Sequence, residues 1–473
     1  MQDRFPLCVD LDGTLIKTDT LFESFLIFIK SKPFYIFFLP LWLLRGRAYL
    51  KQKITYSTKL NIELLPYNQP VLDWIQAEKA KGRKIILVTA ADQLIAESIA
   101  KHLGLFDEVL ASNGEINLKG KAKQKVLSER YGSKQYDYAG DCHADLAVWQ
   151  DAHSAILVNP TKSLRQKAKA LTNIGHEFHS QNSKFLLLKT IRVHQYVKNL
   201  LIFLPLLLSP YVLDLHLWLN YILGFLSFCT TASIVYVIND LMDLESDRQH
   251  PRKRYRGFAC GDISIKQGLG IIFALLIITI GLCFYLRSNF VITLGVYFLI
   301  TCFYSFYLKK LVLIDTFTLS ILYTLRLIAG ITLLSHSYSD WLIAFSIFFF
   351  LCLAYVKRFT ELFKANDESK AIHGRGYRLE QINLIKILGI SSGYIATLIF
   401  TLYIQSEKAA AIYQRIEILY IINLVLLYWI SYMWLMAYEG KMHDDPIVYA
   451  IKDKTSWVVG IVCLLSLIAA KLL

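Results

Sequence analysis

The chain has 473 residues, 55% hydrophobic, 14% aromatic and only 19% charged, with a mean hydropathy of +0.41. Soluble domains carry about 25% charged residues, so a fully soluble enzyme, a disordered scaffold and a secreted disulfide miniprotein all fit poorly. The net charge is +14, and in so apolar a chain excess Lys and Arg point to the cytoplasmic side of a membrane protein rather than to nucleic acid. Eight scattered cysteines, mostly in apolar runs, form neither a disulfide framework nor a metal knuckle. Asp3, Arg4, Asp10 and Asp12 interrupt any signal-peptide core, so the first residues are expected to stay in the cytoplasm.

Residues 1 to about 180 alternate short β-rich runs with charged helical stretches. Leu7–Asp10, Lys84–Thr89, Glu108–Ser112, Tyr136–Gly140 and Ala155–Val158 each end in a turn, a rhythm that predicts a parallel α/β sheet. The run Phe34–Leu44 is apolar yet too short to span a bilayer. It reads either as a buried cap helix or as an interfacial helix laying Trp42 and its neighbours on the membrane, with Lys30, Lys32, Arg45 and Arg47 at its flanks.

From Asn199 the texture changes to long apolar blocks. Nine spans are predicted near 200–217, 219–238, 267–286, 290–307, 311–334, 341–356, 387–405, 416–437 and 455–473, the first and sixth borderline. With a cytoplasmic start, the inside loops hold 18 Lys and Arg and the opposite loops three. That asymmetry follows the positive-inside rule, disfavours a nucleic-acid partner and places the C-terminus outside.

Two acidic constellations carry the chemistry. In the first, Asp10-Leu11-Asp12-Gly13-Thr14 follows the first strand, projecting two carboxylates at its carboxyl end. Phosphoryl transfer needs a nucleophile, a proton donor and a divalent cation. Thr89 ends the second strand, Lys123 lies in LKGKAK, and Asp141 and Asp145 follow the fourth strand. In that order, over residues 5–160, these parts resemble the haloacid dehalogenase (HAD) superfamily of phosphatases. The resemblance implies Asp10 as nucleophile, Asp12 as general acid/base, Thr89 and Lys123 on phosphate, and Mg²⁺ held by Asp10, Asp141 and the Asp12 carbonyl, with Asp145 a further ligand. Lys121 and Lys125 compete with Lys123, which its spacing from Gly120 favours. Residues 15–80 would form a helical cap.

The second constellation is VINDLMDLESDRQHPRKR, just past the second span. Asn239, Asp240, Asp243 and Asp247 recur every three or four residues and so share a helix face. Gathered carboxylates repel, and a divalent cation bound to phosphate would offset that cost; the following Arg252, Lys253 and Arg256 suit phosphate oxygens. This pattern resembles the UbiA superfamily of intramembrane transferases over about residues 185–473. The resemblance implies Mg²⁺ on Asn239, Asp240, Asp243 and Asp247, with Asp240, Asp243 and Asp247 as catalytic acids. It also implies substrate contacts from Lys198, Asn199, Tyr304, Lys309, Arg326, Lys357, Arg358 and Glu361.

Aromatic prenyltransferases carry a second Asp-rich motif after the sixth span, where this chain has KRFTEL. Together with RVHQYVKN and DDPIVYAIKDK, that is closer to the branch making decaprenyl-phosphate phosphoribose. Gly257 departs from the Arg-Pro usual there, which touches a turn and not the metal site. The expectation is therefore an α/β HAD-like parallel sheet with a helical cap (1–180), followed by an all-α nine-helix transmembrane bundle (181–473). Expected partners are a polyprenyl phosphate or diphosphate, a phosphorylated small-molecule co-substrate and membrane lipids, at the cytoplasmic membrane. Phosphoribosyl transfer with dephosphorylation of the product leads; prenyl transfer to an aromatic or other acceptor, or a membrane-anchored phosphatase, stand as alternatives.

Overall fold

The computed structural model describes residues 5–113, 116–179, 185–334, 340–367, 376–442 and 445–472. The chain divides into two units, Met1–Ile191 with Tyr236–Ala274, and Arg192–Val235 with Leu275–Leu473.

In the first unit, β1 (Leu7–Val9), β2 (Ile85–Asp92), β3 (Glu108–Ser112), β4 (Asp137–Gly140), β5 (Ser154–Val158) and β6 (Asn173–Phe178) form one sheet. Its order is β3-β2-β1-β4-β5-β6, every pairing parallel, with Leu7 beside Ile85 on one side and Asp137 on the other. Both faces are covered, which is why the central strands read as unbroken apolar runs. Leu7, Val9 and Leu87 pack with Val71, Ile75 and Ile99; Cys8, Ile86 and Val88 pack with Leu127, Tyr138 and Trp149. The chain reverses its direction of winding at β1, and the crevice at the carboxyl ends of β1 and β4 is the place such sheets offer a ligand. β6 is a strand the sequence pattern does not announce, because NIGHEF lies at the sheet edge with no fully buried residue.

Helix Thr20–Ser31 opens with Asp19, whose carboxylate accepts the Leu21 and Phe22 N–H groups. After it the chain makes a 3-10 segment, Pro33–Phe38, and a short helix, Leu39–Leu44, restarted at Pro40. No residue of that helix is buried, so the reading of Phe34–Leu44 as a buried cap helix is overturned. Leu39 and Trp42 are half-buried, the Trp42 ring 5.7 Å from that of Phe28, so Trp42 is not the residue turned outward. Helix Arg47–Ser57 follows, and Gln69–Ala80 returns to the sheet core through Val71, Leu72 and Ile75. The same unit takes in residues 236–274, where Val237, Leu241, Leu244, Phe258, Ile263 and Ile265 cluster and Phe22 and Leu26 pack on them.

The second unit is helical. Among the described residues eight helices of the chain are long and apolar enough to cross a membrane: Leu215–Met242, Ile265–Cys283, Ser288–Phe306, Ile314–Leu333, Asp340–Lys364, Leu379–Ile404, Ile416–Tyr438 and Lys454–Leu472. The stretch predicted at 200–217 differs. It is a 3-10 helix, Val193–Phe203, followed by Leu204–Leu208, because Pro205 lacks an N–H and can start a helix but not continue one. The borderline sixth span instead runs on as Asp340–Asp367. Helix Ile382–Ile404 approaches its neighbours through Gly389, against Trp434 and Tyr355, and Gly393, against Ile430 and Cys352. Small residues four apart permit that closeness in a bilayer, where packing rather than apolar burial drives helix association.

Candidate functional site

The first acid group forms where β1 ends. Asp10 is buried, its N–H bonded to Ala139 O at 3.0 Å, which ties the turn to β4. Its Oδ1 accepts the Leu11 N–H at 2.8 Å and meets Lys123 Nζ at 2.9 Å. Lys123 comes from the first turn of helix Lys121–Tyr131, whose preceding Gly120 has φ +57°, a conformation that suits glycine. Lys123 also donates to Tyr138 OH (2.7 Å), which donates to Asp145 Oδ1 (3.0 Å). Asp145 Oδ2 accepts the Asp141 and Cys142 N–H groups at 3.2 and 3.0 Å. Oδ2 of Asp145 therefore holds the loop that presents Asp141, while Oδ1 is tied to Tyr138 of β4. Gly13 has φ +78°, and a Cβ there would run into the Asp141 carboxylate. Asp12 turns aside to Thr20, accepting its N–H at 2.8 Å. Thr89 is fully buried, its hydroxyl accepting the Ala91 N–H.

Burial sets the charges of this group. It pushes the Asp10 carboxyl up against the pull of Lys123, and pushes Asp12 to about 7, with Asp19 adding repulsion. Asp141 is raised to about 8 by burial and then by Asp145 and Asp10. Burial would lower Lys123, but the charges of Asp10 and Asp145 outweigh it and hold the ammonium above its ordinary value. Asp141, Cys142 and Asp145 place ligand atoms within 4.8 Å of one another. Burial lifts the Cys142 thiol to about 12, so the oxygens alone are suited to a hard cation such as Mg²⁺. Lys51, a residue the sequence reading passes over, reaches in from helix Arg47–Ser57 to Ala90 O (2.8 Å) and Asn117 Oδ1 (3.0 Å), its ammonium pushed down by burial.

The second acid group lies in residues 239–256 of the same unit. The helix does not run through it: Leu215–Met242 ends, Asp243 takes φ −103° and ψ 14°, and Leu244–Gln249 begins. The bonds Asp243 N to Asn239 O (2.9 Å) and Asp247 N to Asp243 O (2.8 Å) carry the one-turn spacing across the break. Asp240 and Asp247 are buried, and Arg256 Nη1 bridges them at 3.1 and 2.7 Å. Asn239 and Asp243 are half-buried, Asp243 lying 3.8 Å from Lys30. Arg252 and Lys253 are exposed, their N–H groups turned to the His250 ring. Next to Asp247, Arg248 forms a two-point pair with buried Glu23 (2.6 and 3.2 Å) and donates to Ala259 O.

In the helical unit the polar candidates fall into three networks. Lys198 and Lys357 (3.5 Å) both reach Asp445 Oδ2, while Asp445 Oδ1 accepts the Ile447 and Val448 N–H groups. Burial would raise the Asp445 carboxyl, but Lys357 and Lys198 hold it well below the usual carboxylate range. Arg326 is buried and donates to Asn199 Oδ1 (2.9 Å), Leu322 O (2.6 Å) and Tyr297 OH (2.9 Å). Arg358, 1% exposed, donates to Asp315 (2.5 Å), Glu361 (2.6 Å) and Tyr304 OH (3.1 Å), and Tyr377 OH donates to Asp315. Tyr377 OH also accepts the N–H of Leu313, whose φ of +67° is strained for a leucine. Lys309 is half-buried in the turn Leu308–Lys310. Asp444 lies outside the described residues.

Residues 202–442 match the model of the UbiA prenyltransferase family. The chain belongs to that family. Residues 7–148 match the haloacid dehalogenase-like hydrolase model, so the UbiA-type chain carries a HAD-like phosphatase domain ahead of its membrane helices and is an enzyme by both parts. The uncharacterized protein y4nM of Sinorhizobium fredii is 37% identical over 97% of this chain and 89% of its own length. The nodulation protein NoeC of Azorhizobium caulinodans is 34% identical over 58% of this chain and 89% of its own. The decaprenyl-phosphate phosphoribosyltransferase of Corynebacterium glutamicum is 31% identical over 37% of this chain and 54% of that protein. Among solved structures, a UbiA homolog from Archaeoglobus fulgidus bound to GPP and Mg²⁺ is 14% identical, covering 60% of this chain and 96% of its own (TM-score 0.44). An apo phosphoserine phosphatase is 17% identical, covering 39% and 98% (TM-score 0.28).

Proposed function

We propose that the UbiA part transfers phosphoribose from phosphoribosyl diphosphate to a polyprenyl phosphate, and that the HAD-like domain removes the 5-phosphate from the product. The observation that carries this reading is Glu361, the one acid of KRFTEL, whose carboxylate is spent on Arg358 rather than offered to a second metal. The likeness to decaprenyl-phosphate phosphoribosyltransferases supports it. Prenyl transfer to an aromatic or other acceptor draws on the same Asp240, Asp243 and Asp247.

In the membrane-side site, Asn239, Asp240, Asp243 and Asp247 would hold Mg²⁺, which typically takes one or two carboxylates together with phosphate oxygens. Bound there, Mg²⁺ would offset charge on the departing diphosphate. Arg256, which bridges Asp240 and Asp247 here, would be available to the diphosphate with those acids on the cation, and Arg252 and Lys253 would add exposed donors. Lys198 and Lys357, gathered on Asp445, and Lys309 receive phosphate oxygens in the helical unit. Arg326 and Arg358, with their donors met by protein, shape the surroundings through Asn199 and Tyr304.

In the HAD-like domain, Asp10 and Asp141 would hold Mg²⁺, with Asp145 keeping the Asp141 loop in place. Asp10 Oδ1 carries both protein contacts, so Oδ2 attacks phosphorus. The bond from phosphorus to the leaving oxygen breaks, and Asp12 gives that oxygen its proton. Asp12 then takes a proton from water, the water oxygen bonds phosphorus, and the bond to Asp10 breaks. A carboxyl raised to about 7 suits both steps near neutral pH. Thr89 and Lys123 steady the phosphoryl oxygens.

The division near residue 180, the cap at 15–80, and nine crossings of the cytoplasmic membrane with the C-terminus outside belong to the same reading. Eleven 3-10 residues and five α-helical ones in Val193–Leu208 rise about 30 Å, the depth of the hydrocarbon core. The test uses purified full-length protein with Mg²⁺, radiolabelled phosphoribosyl diphosphate and polyprenyl phosphate, and Asp243→Ala as control. Label entering the lipid phase and lost in the variant is the expected result. Activity only with a polyprenyl diphosphate and an organic acceptor would replace it with prenyl transfer.

A further inference from the structure

We infer that the exposed apolar run Phe34–Leu44 inserts into the lipid surface and seats the cap of the HAD-like domain there, so that the cap meets lipid-borne substrates. Phe34, Phe37 and Leu44 are 79%, 77% and 84% exposed, and Phe38, Leu41 and Leu43 stand out beside them. Such contiguous apolar exposure on a folded domain marks a surface awaiting a partner. The structure identifies the partner by position. Helix Thr20–Ser31, which leads into the run, donates from Lys30 Nζ to the carbonyl of Met242 (2.9 Å), the last residue of the membrane-spanning helix Leu215–Met242. Phe22 and Leu26 of the same helix pack on the cluster that holds Leu241 and Ile265, at the ends of two spans. The run therefore starts four residues beyond a contact that sits where a span leaves the bilayer.

Charge agrees with position. Lys30 and Lys32 precede the run and Arg45 follows it, the arrangement by which an interfacial element combines apolar insertion with attraction to anionic headgroups. Trp42 is half-buried against Phe28, with the exposed Tyr35 touching the same ring by its edge, so the element keeps a folded inner side while the outer residues enter lipid.

The test places p-benzoylphenylalanine at Phe37 of the full-length protein in nanodiscs of phosphatidylcholine and phosphatidylglycerol, with exposed Leu171 as the control position. Irradiation is expected to give a lipid adduct by mass at 37 and none at 171. No adduct at 37, equal adducts at both, or a cross-link from 37 to a second chain instead would overturn insertion. The second half of the inference rests on the phosphatase reading. With Phe34→Ser, Phe37→Ser and Leu44→Ser combined, kcat/KM for a polyprenyl-linked sugar phosphate in vesicles should fall about tenfold or more, with p-nitrophenyl phosphate turnover unchanged. Equal loss on both substrates would overturn the link to lipid-borne substrates. A parent protein inactive on both would refute the phosphatase reading, while the cross-link still decides insertion.

Discussion

The two acid groups of this enzyme solve one electrostatic problem in opposite ways. At the end of β1, Asp10 is countered by Lys123, a buried ammonium held in a chain that runs through Tyr138 to Asp145. Around the helix end at Met242, Asp240 and Asp247 are countered by Arg256, a third exposed and carried on a turn. A buried, fully hydrogen-bonded cation is part of the fold, whereas a half-exposed one on a loop can leave for a ligand. The first site is set for one phosphoryl group in one place; the second is set to exchange partners.

The largest expected effect breaks the first site alone. Asp10→Asn should lower phosphate release on the order of 10⁴-fold or more, as loss of a nucleophile does, while the transferase continues; mass spectrometry of the lipid product should then find the phosphorylated form accumulating. If it does not accumulate, the proposed dephosphorylation is wrong. Asp247→Ala should do the converse, cutting lipid labelling by about 10²–10³-fold with p-nitrophenyl phosphate hydrolysis retained. The third experiment sets the two cations side by side. Lys123→Ala leaves Asp10 buried without its ion-pair partner and should cost about 3–5 kcal/mol of domain stability, read as a lower thermal midpoint. Arg256→Ala also leaves buried Asp240 and Asp247 without their cation, so its midpoint should fall too, but it alone should raise KM for the diphosphate. An unchanged KM in Arg256→Ala would erase the distinction.

The smallest effect is a pH limb. Asp12 acts in the first step as the protonated acid, and burial raises it to about 7. The phosphorylation of Asp10, followed by rapid quench, should therefore slow as pH rises through that value and hold constant below it. In Asp12→Asn the limb should vanish, together with most of the rate.

Local chemistry was legible from the chain; long-range pairing was not. Asp10, Lys123 and Asp141 each stand at the end of a strand or the start of a helix, positions that turn residues and apolar runs reveal, and the structure gathers them into one hydrogen-bonded chain; Thr89 lies inside β2, which runs on to Asp92 rather than ending at 89, and Asp12 turns to Thr20. Hydropathy predicted nine spans, of which eight stand as long apolar helices, but passed over Pro205, which changes the helix type without changing apolarity. It also left Phe34–Leu44 open between a buried cap helix and an interfacial one, since apolarity alone does not tell a core from a lipid-facing surface. Arg326 and Arg358 read as substrate contacts. Partners of theirs lie far off in sequence, at Asn199, Tyr304 and Asp315, and only the fold shows those bonds already made. The break at Asp243 escaped the helical spacing because the bonds from 239 to 243 to 247 persist across it.

The pair between Glu23 and Arg248 has a consequence for how the protein is made. Glu23 belongs to the stretch synthesised first, yet its buried carboxylate is answered by a residue that leaves the ribosome only after a whole transmembrane helix. At typical elongation rates the N-terminal domain waits several seconds, on the order of 4–14 s, between finishing its own sheet and receiving Arg248. During that interval the Glu23 carboxylate has the Thr18 hydroxyl and water but no cation beside it, so the domain closes around it only once the second span's exit loop is delivered. Maturation of the phosphatase is thereby timed by membrane insertion, and a chain stalled before residue 248 would carry the sheet without its final lock.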